Sequence, residues 1–149
     1  MKKILVAVDF SPASEQAVRT ALQLGEKFES KLLLLHVIHD PANAPGFYAA
    51  KKAGKKVLRN MEAAAAEMMV EFVAKHVKDW EAFETKILPG LPADELLRAA
   101  RNYKADLIVM GTRGHGALRR LMVGSVTDKV IRSCTRPVLV VQEEKKPRK

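Results

Sequence analysis

One cysteine, Cys134, is present in 149 residues. An internal disulfide is therefore impossible, and the chain suits a reducing compartment. Cys134 falls on an expected helix, where it reads as a small core residue rather than a redox centre. No apolar run approaches the ~18 residues that span a bilayer, so no transmembrane helix and no membrane partner are expected. The apolar stretch near the start covers only Ile4 to Val8 before Asp9 ends it. That is short of the roughly 7–15 residues of a signal-peptide core, which makes the cytoplasm the expected compartment. Metal cages need clustered ligands, and neither H-E-x-x-H nor a paired cysteine motif occurs. Aromatic residues are only 5%. Trp80 and the two tyrosines form no array of the kind on which single-stranded nucleic acid stacks. Internal repeats and a second-domain linker are also missing.

What is present is ordinary for a globular chain: 48% apolar and 29% charged residues. The length suits one domain able to bury a real core. We read residues 1–142 as that domain and 143–149 as a basic, disordered tail. The net charge is +9, and Lys145, Lys146, Arg148 and Lys149 supply four of those charges. The excess has two readings, a solvated surface or an anionic partner such as a nucleotide phosphate, a nucleic acid or a membrane surface.

Strand and helix patterns alternate. Ile4 to Val8 is a continuous β-branched-rich run, as in a strand buried on both faces. Ser11 can cap a helix that begins at Pro12, with Ala17, Val18, Ala21 and Leu22 inward and Gly25 near its end. Leu32 to Ile38 is a second buried strand, and His39 to Ala50 a loop with Pro41, Pro45 and Gly46. Lys51 to Lys78 reads as a long helix with Val57, Leu58, Met61, Ala65, Met68, Met69, Phe72 and Val73 at helical spacing. Phe83, Thr85 and Ile87 alternate as a short half-exposed strand. Pro89-Gly90-Leu91-Pro92 is a turn into a helix carrying Leu96, Leu97 and Ala100. Asp106 to Met110 is the fourth strand. Ser125 to Cys134 is a fourth helix with Val126, Val130 and Ile131 inward, and Ser125 with Asp128 resembles a capping box. Pro137 to Val141 is the fifth strand. Such alternation implies an α/β fold, one doubly wound parallel sheet with helices on both faces. Order 3-2-1-4-5 would make the ends of strands one and four neighbours, where such sheets bind ligands.

The segment Met110 to Val126, MGTRGHGALRRLMVGSV, is the most informative. It places Gly111, Gly114, Gly124 and Ser125 in the pattern G-x2-G-x9-G-[S/T] after a strand and before a helix. Glycine admits close backbone approach to an anion. A helix N-terminus offers unpaired N–H groups to phosphate. Arg113, Arg119 and Arg120 lie in the intervening loop, with His115 read as a surface residue. A Walker loop is missing, and Gly114-His115-Gly116 lacks the third glycine of a dinucleotide fingerprint.

With VAVDFSPAS at the start, LLLLHVI in the second strand and RPVLVV at the close, the chain resembles the ATP-binding branch of the universal stress proteins. The resemblance covers essentially the whole chain. It implies an adenine nucleotide alpha hydrolase-like fold and a bound adenine nucleotide: ATP, or ADP or AMP, with Mg²⁺ as a candidate bridge between phosphates. By the same resemblance Asp9 lies beside the adenosine, Ala7 and Val37 flank adenine, and Met110 borders the nucleoside. Gly111 and Gly114 match the ribose and phosphate loop, and Gly124, Ser125 and Val126 the second phosphate contact. Phe10 departs from the family, many of whose members carry a small residue there. The expected function is that of an ATP-binding regulatory protein of stress response, a nucleotide-dependent switch that an unknown protein partner reads. The alternatives are a slow ATPase, and a nucleic-acid binder acting through the basic surface and tail. The resemblance also implies a homodimer paired through the last strand.

Overall fold

Apolar strands and amphipathic helices alternate through the computed structural model, which describes residues 1–40, 51–112 and 123–144. The elements are β1 (Lys3–Ala7), α1 (Pro12–Phe28), β2 (Lys31–His39), α2 (Lys51–His76), β3 (Phe83–Gly90), α3 (Pro92–Tyr103), β4 (Leu107–Gly111), α4 (Ser125–Ser133) and β5 (Val138–Val141). All five strands run parallel, as the alternation predicts, and their order is the expected β3-β2-β1-β4-β5. β1 lies between β2 and β4, and its Ile4, Leu5 and Val6 are fully buried. Continuous apolar runs are what a strand covered on both faces requires.

Two cores flank the sheet. Ile4, Val6, Val8, Leu32, Leu34 and Val109 pack with α1 and α2. Leu5, Leu33, Leu35, Ile108 and Met110 pack with α3 and α4. Alternate residues of each strand thus serve opposite layers.

Local chemistry sets the boundaries. Ser11 caps α1, its hydroxyl accepting from the Ser14 N–H at 3.2 Å, with Pro12 in the first turn. Gly25 lies near the end of α1, as expected, three residues before Phe28, and it makes room for the indole of Trp80, to which an added Cβ would come within 3.0 Å. Pro89 and Gly90, expected in a turn, are the last two residues of β3, which pairs with β2 on one side only. An edge strand tolerates proline because its lost N–H faces outward.

Two helices differ from the sequence reading. In α2, Ala65, Met69 and Phe72 are buried, whereas Val57, Met61 and Met68 are exposed on a second stripe. The apolar periodicity there serves two faces, only one of which meets the sheet. In α4 the expected capping box does not form. Gly124 is the N-cap without a side-chain cap bond, and Asp128 pairs with Arg132 at 2.9 Å. With the cap on Gly124, Ser125 and Asp128 each lie one position past the cap and N3 places that a capping box requires. Ile131, expected inward, is exposed, while Thr127 and Val130 are buried.

Candidate functional site

Strand order reverses between β1 and β4, because the chain winds outward to β2 and β3 and then returns to β4 on the other side of β1. In open parallel sheets this is where a crevice opens beyond the carboxyl ends of the strands. Ala7, Val37 and Met110 stand near those ends of β1, β2 and β4 and all pack on the α3/α4 layer, as does Val126. Met110 is buried, and Ala7, Val37 and Val126 are half-buried.

Gly111 closes β4. A Cβ there would lie 2.7 Å from the Cβ of Ala13 and 3.1 Å from its backbone carbon. The missing side chain is therefore used by packing against the first turn of α1. Beyond it the backbone is stapled. The Thr112 N–H donates to the Val141 carbonyl at 3.0 Å, and the Gly124 N–H to the Thr112 carbonyl at 2.8 Å. The buried Thr127 hydroxyl donates to the Gly111 carbonyl at 2.9 Å. These bonds set the N-terminus of α4 beside the end of β4. Ser125 is the first residue of α4 and is exposed, and Gly124 precedes it at φ −63°. The opening N–H groups of a helix have no intrahelical acceptor and carry its positive dipole end.

Asp9 follows β1 by two residues. Its Oδ1 accepts from the Ser11 N–H at 2.9 Å. Phe10, between them, has φ +64°, a conformation costing on the order of 1–3 kcal/mol in a non-glycine residue. Its ring packs against the α1/α2 core. It stacks on His36 with centroids 4.5 Å apart and meets Phe72 edge-on at 5.7 Å. The bulky ring therefore turns into the α1/α2 layer, with Ala7, Val37 and Met110 on the opposite one. His36 Nδ1 lies 2.7 Å from the Val8 carbonyl. A carbonyl only accepts, so Nδ1 carries the proton.

Phe72 also stacks on His76, centroids 4.6 Å apart, and His76 Nε2 lies 3.5 Å from Glu15 Oε1. Burial holds the His76 imidazole below its ordinary pKa, against the pull of Glu15. Phe10, Glu15, Met68, Glu71, Phe72 and His76 line an open cleft between α1 and α2.

The structure thus gathers Ala7, Val37, Met110 and Val126 on one face, and Gly111, Gly124 and Ser125 around one backbone staple. Asp9 is carried on the turn that leaves β1. Gly114, Arg113, His115, Arg119 and Arg120 lie outside the described residues, as do the loop 41–50 and the basic tail 145–149. Among the described residues, no three His, Cys, Asp or Glu side chains gather to hold a metal. Thr127 escaped the sequence reading. Its only signal was its place two residues after Ser125, and a buried hydroxyl is not legible from spacing. The slot that takes the Phe10 ring left no signal at all, since His36 and Phe72 are distant in sequence.

The model of the universal stress protein family matches residues 1–142. The chain belongs to the universal stress protein family. The universal stress protein MJ0531 of Methanocaldococcus jannaschii is 32% identical over 97% of this chain and 84% of its own length. A Thermus aquaticus universal stress protein is 34% identical over 95% of this chain and 98% of its own. The solved structure of MJ0577, a universal stress protein also from Methanocaldococcus jannaschii, superposes with a TM-score of 0.81 at 26% identity. That match covers 97% of this chain and 98% of that one. A universal stress protein solved in complex with cAMP matches with a TM-score of 0.61 at 29% identity, over 96% of this chain and 98% of that one.

Proposed function

We propose that this universal stress protein binds an adenine nucleotide in the crevice between the carboxyl ends of β1 and β4, and acts as a nucleotide-responsive regulator in the cytoplasm. ATP is the foremost ligand, with ADP and AMP as the alternatives. Asp9 offers the adenosine its second carboxylate oxygen, Oδ2, which no described residue occupies. Ala7, Val37 and Met110 border the nucleoside. Gly111, Gly114, Gly124, Ser125 and Val126 cradle the phosphates through backbone N–H groups and the Ser125 hydroxyl, with Mg²⁺ a candidate counter-ion.

The observation that carries this reading is the staple between Thr112 and Gly124, whose 2.8 Å bond puts a helix N-terminus at the topological switch point. Anion binding at such an N-terminus follows from its free N–H groups and dipole. The cAMP complex of a family member supports the adenine chemistry. Residues 111–127 contain no carboxylate, and Asp128 is engaged with Arg132. Without a carboxylate in that stretch to activate water, binding and signalling are favoured over rapid hydrolysis. Nucleotide bound between the end of β4 and the start of α4 would change that face of the molecule, a change a protein partner can read. Pairing of β5 edges into a homodimer would cover an apolar edge strand.

Native mass spectrometry with ATP, ADP and AMP titrations, with and without Mg²⁺, tests the proposal. The expected result is a dimer holding one adenine nucleotide per chain. Absence of binding at millimolar nucleotide would overturn it. Gly124→Val puts bulk at the phosphate approach, at a φ of −63° that any residue adopts. It is expected to weaken ATP binding about tenfold to a hundredfold, the worth of one charge-assisted hydrogen bond, while the fold survives.

A further inference from the structure

Phe10 adjoins Asp9 and holds φ at +64°, a region that bulky residues rarely enter. Of the other described non-glycine residues with positive φ, Glu29 and Lys104 are helix C-caps and Asp79 lies in the turn after α2. Phe10 closes no helix; it lies between a strand and a helix N-cap. Such strain persists only where the surroundings over-determine it, and it collects at functional sites. Here the surroundings are rings. His36 covers Phe10 from β2, Phe72 meets it edge-on from α2, and Phe72 is itself buried. His36 is tied back to the Val8 carbonyl, so the clamp is anchored to the residue just before Asp9. On the other side the Ser11 N–H holds Asp9 Oδ1, while the Ser11 hydroxyl caps α1.

We infer that Phe10 is a positioning residue for Asp9: its ring, clamped between His36 and Phe72, fixes the Asp9–Ser11 turn and so presents the Asp9 carboxylate in one orientation. The effect on ligand affinity rests on the nucleotide reading above; the clamp on the turn does not. Glycine at this position relieves the strain and loses the clamp. Tyrosine keeps a ring for the slot between His36 and Phe72.

The test compares the full chain with Phe10→Gly, Phe10→Tyr, Asp9→Asn and the Asp9→Asn/Phe10→Gly double variant. ATP affinity is measured by calorimetry, and hydrogen exchange of the Ser11 amide by NMR without nucleotide. Phe10→Gly should weaken ATP binding about three- to tenfold, as a charge-assisted hydrogen bond loses its alignment. It should speed Ser11 exchange about tenfold by local opening. Phe10→Tyr should recover most of both. In the Asp9→Asn background, Phe10→Gly should add no further loss of affinity, because the ring acts through the carboxylate. Unchanged Ser11 exchange in Phe10→Gly would overturn the clamp. Additive losses in the double variant would overturn the route through Asp9. If the wild type binds no ATP while Phe10→Gly still frees the Ser11 amide, the nucleotide reading falls and the clamp stands.

Discussion

Adding a methyl group to Gly111 would drive it to 2.7 Å from the Cβ of Ala13, well inside contact distance. Gly111→Ala should therefore cost about 1–3 kcal/mol, as overpacking does, seen as a lower melting temperature without nucleotide. Ala13→Gly in the same chain should recover part of that loss, since the nearest clash goes but the Ala13 backbone carbon at 3.1 Å stays. If Gly111→Ala melts like the wild type, the glycine serves only the ligand. Thr127 makes a matching case for a buried hydroxyl. Thr127→Val leaves the Gly111 carbonyl without its donor at 2.9 Å, which costs about 1–3 kcal/mol for a buried group. Loss of that bond also frees α4 to shift against β4, so ATP affinity should fall too. Thr127→Ser keeps the bond and should restore affinity. Equal binding by all three would detach Thr127 from the site.

Helix α2 meets α1 through His76, whose neutral form the fold prefers because burial outweighs Glu15. With its folded pKa depressed below the ordinary value of 6.5, the unfolded chain binds a proton that the folded chain refuses. This contribution to stability is present above about pH 6.5 and is lost as pH falls toward the folded pKa. Melting temperatures between about pH 7.5 and 5.5 should decline, and the decline should be shallower in His76→Gln. An identical slope in the variant would remove His76 from the account. Element order and the α1 cap were legible because each is written in local residues: buried runs in β1 and β2, Ser11-Pro12 before α1; the sheet order is not local and came with the doubly wound fold type. The sequence reading misjudged α2, where Val57, Met61 and Met68 sit at helical spacing yet face outward. Periodicity reports an apolar stripe, not what covers it. The same reading began α4 at Ser125 as the structure does, but misplaced the cap, which falls one residue earlier on Gly124. At the site, strand ends and glycine spacing were legible, but the Phe10 slot depends on β2 and α2 converging and exists only in three dimensions.

At the scale of the whole molecule, β5 is an edge strand whose Leu139 remains exposed. If the proposed homodimer pairs there, Leu139→Glu puts like charges across the interface and should yield a monomer by analytical ultracentrifugation. Persistence of a dimer would move the interface elsewhere. The two ends of the sheet also divide the labour. Asp9, the Thr112–Gly124 staple and the start of α4 occupy the carboxyl end. At the amino end, Asp106 accepts from the Lys2 and Lys3 N–H groups at 2.7 and 2.9 Å, and those bonds hold its carboxyl below the usual range. Trp80 belongs to this second end. It packs over Gly25, and its indole N–H donates to the Ala82 carbonyl just before β3. It is also the chain's one tryptophan. Intrinsic fluorescence therefore watches the far end of the sheet from the crevice. Its emission should stay constant through a nucleotide titration yet change sharply on unfolding, so a ligand would register only as a higher unfolding midpoint.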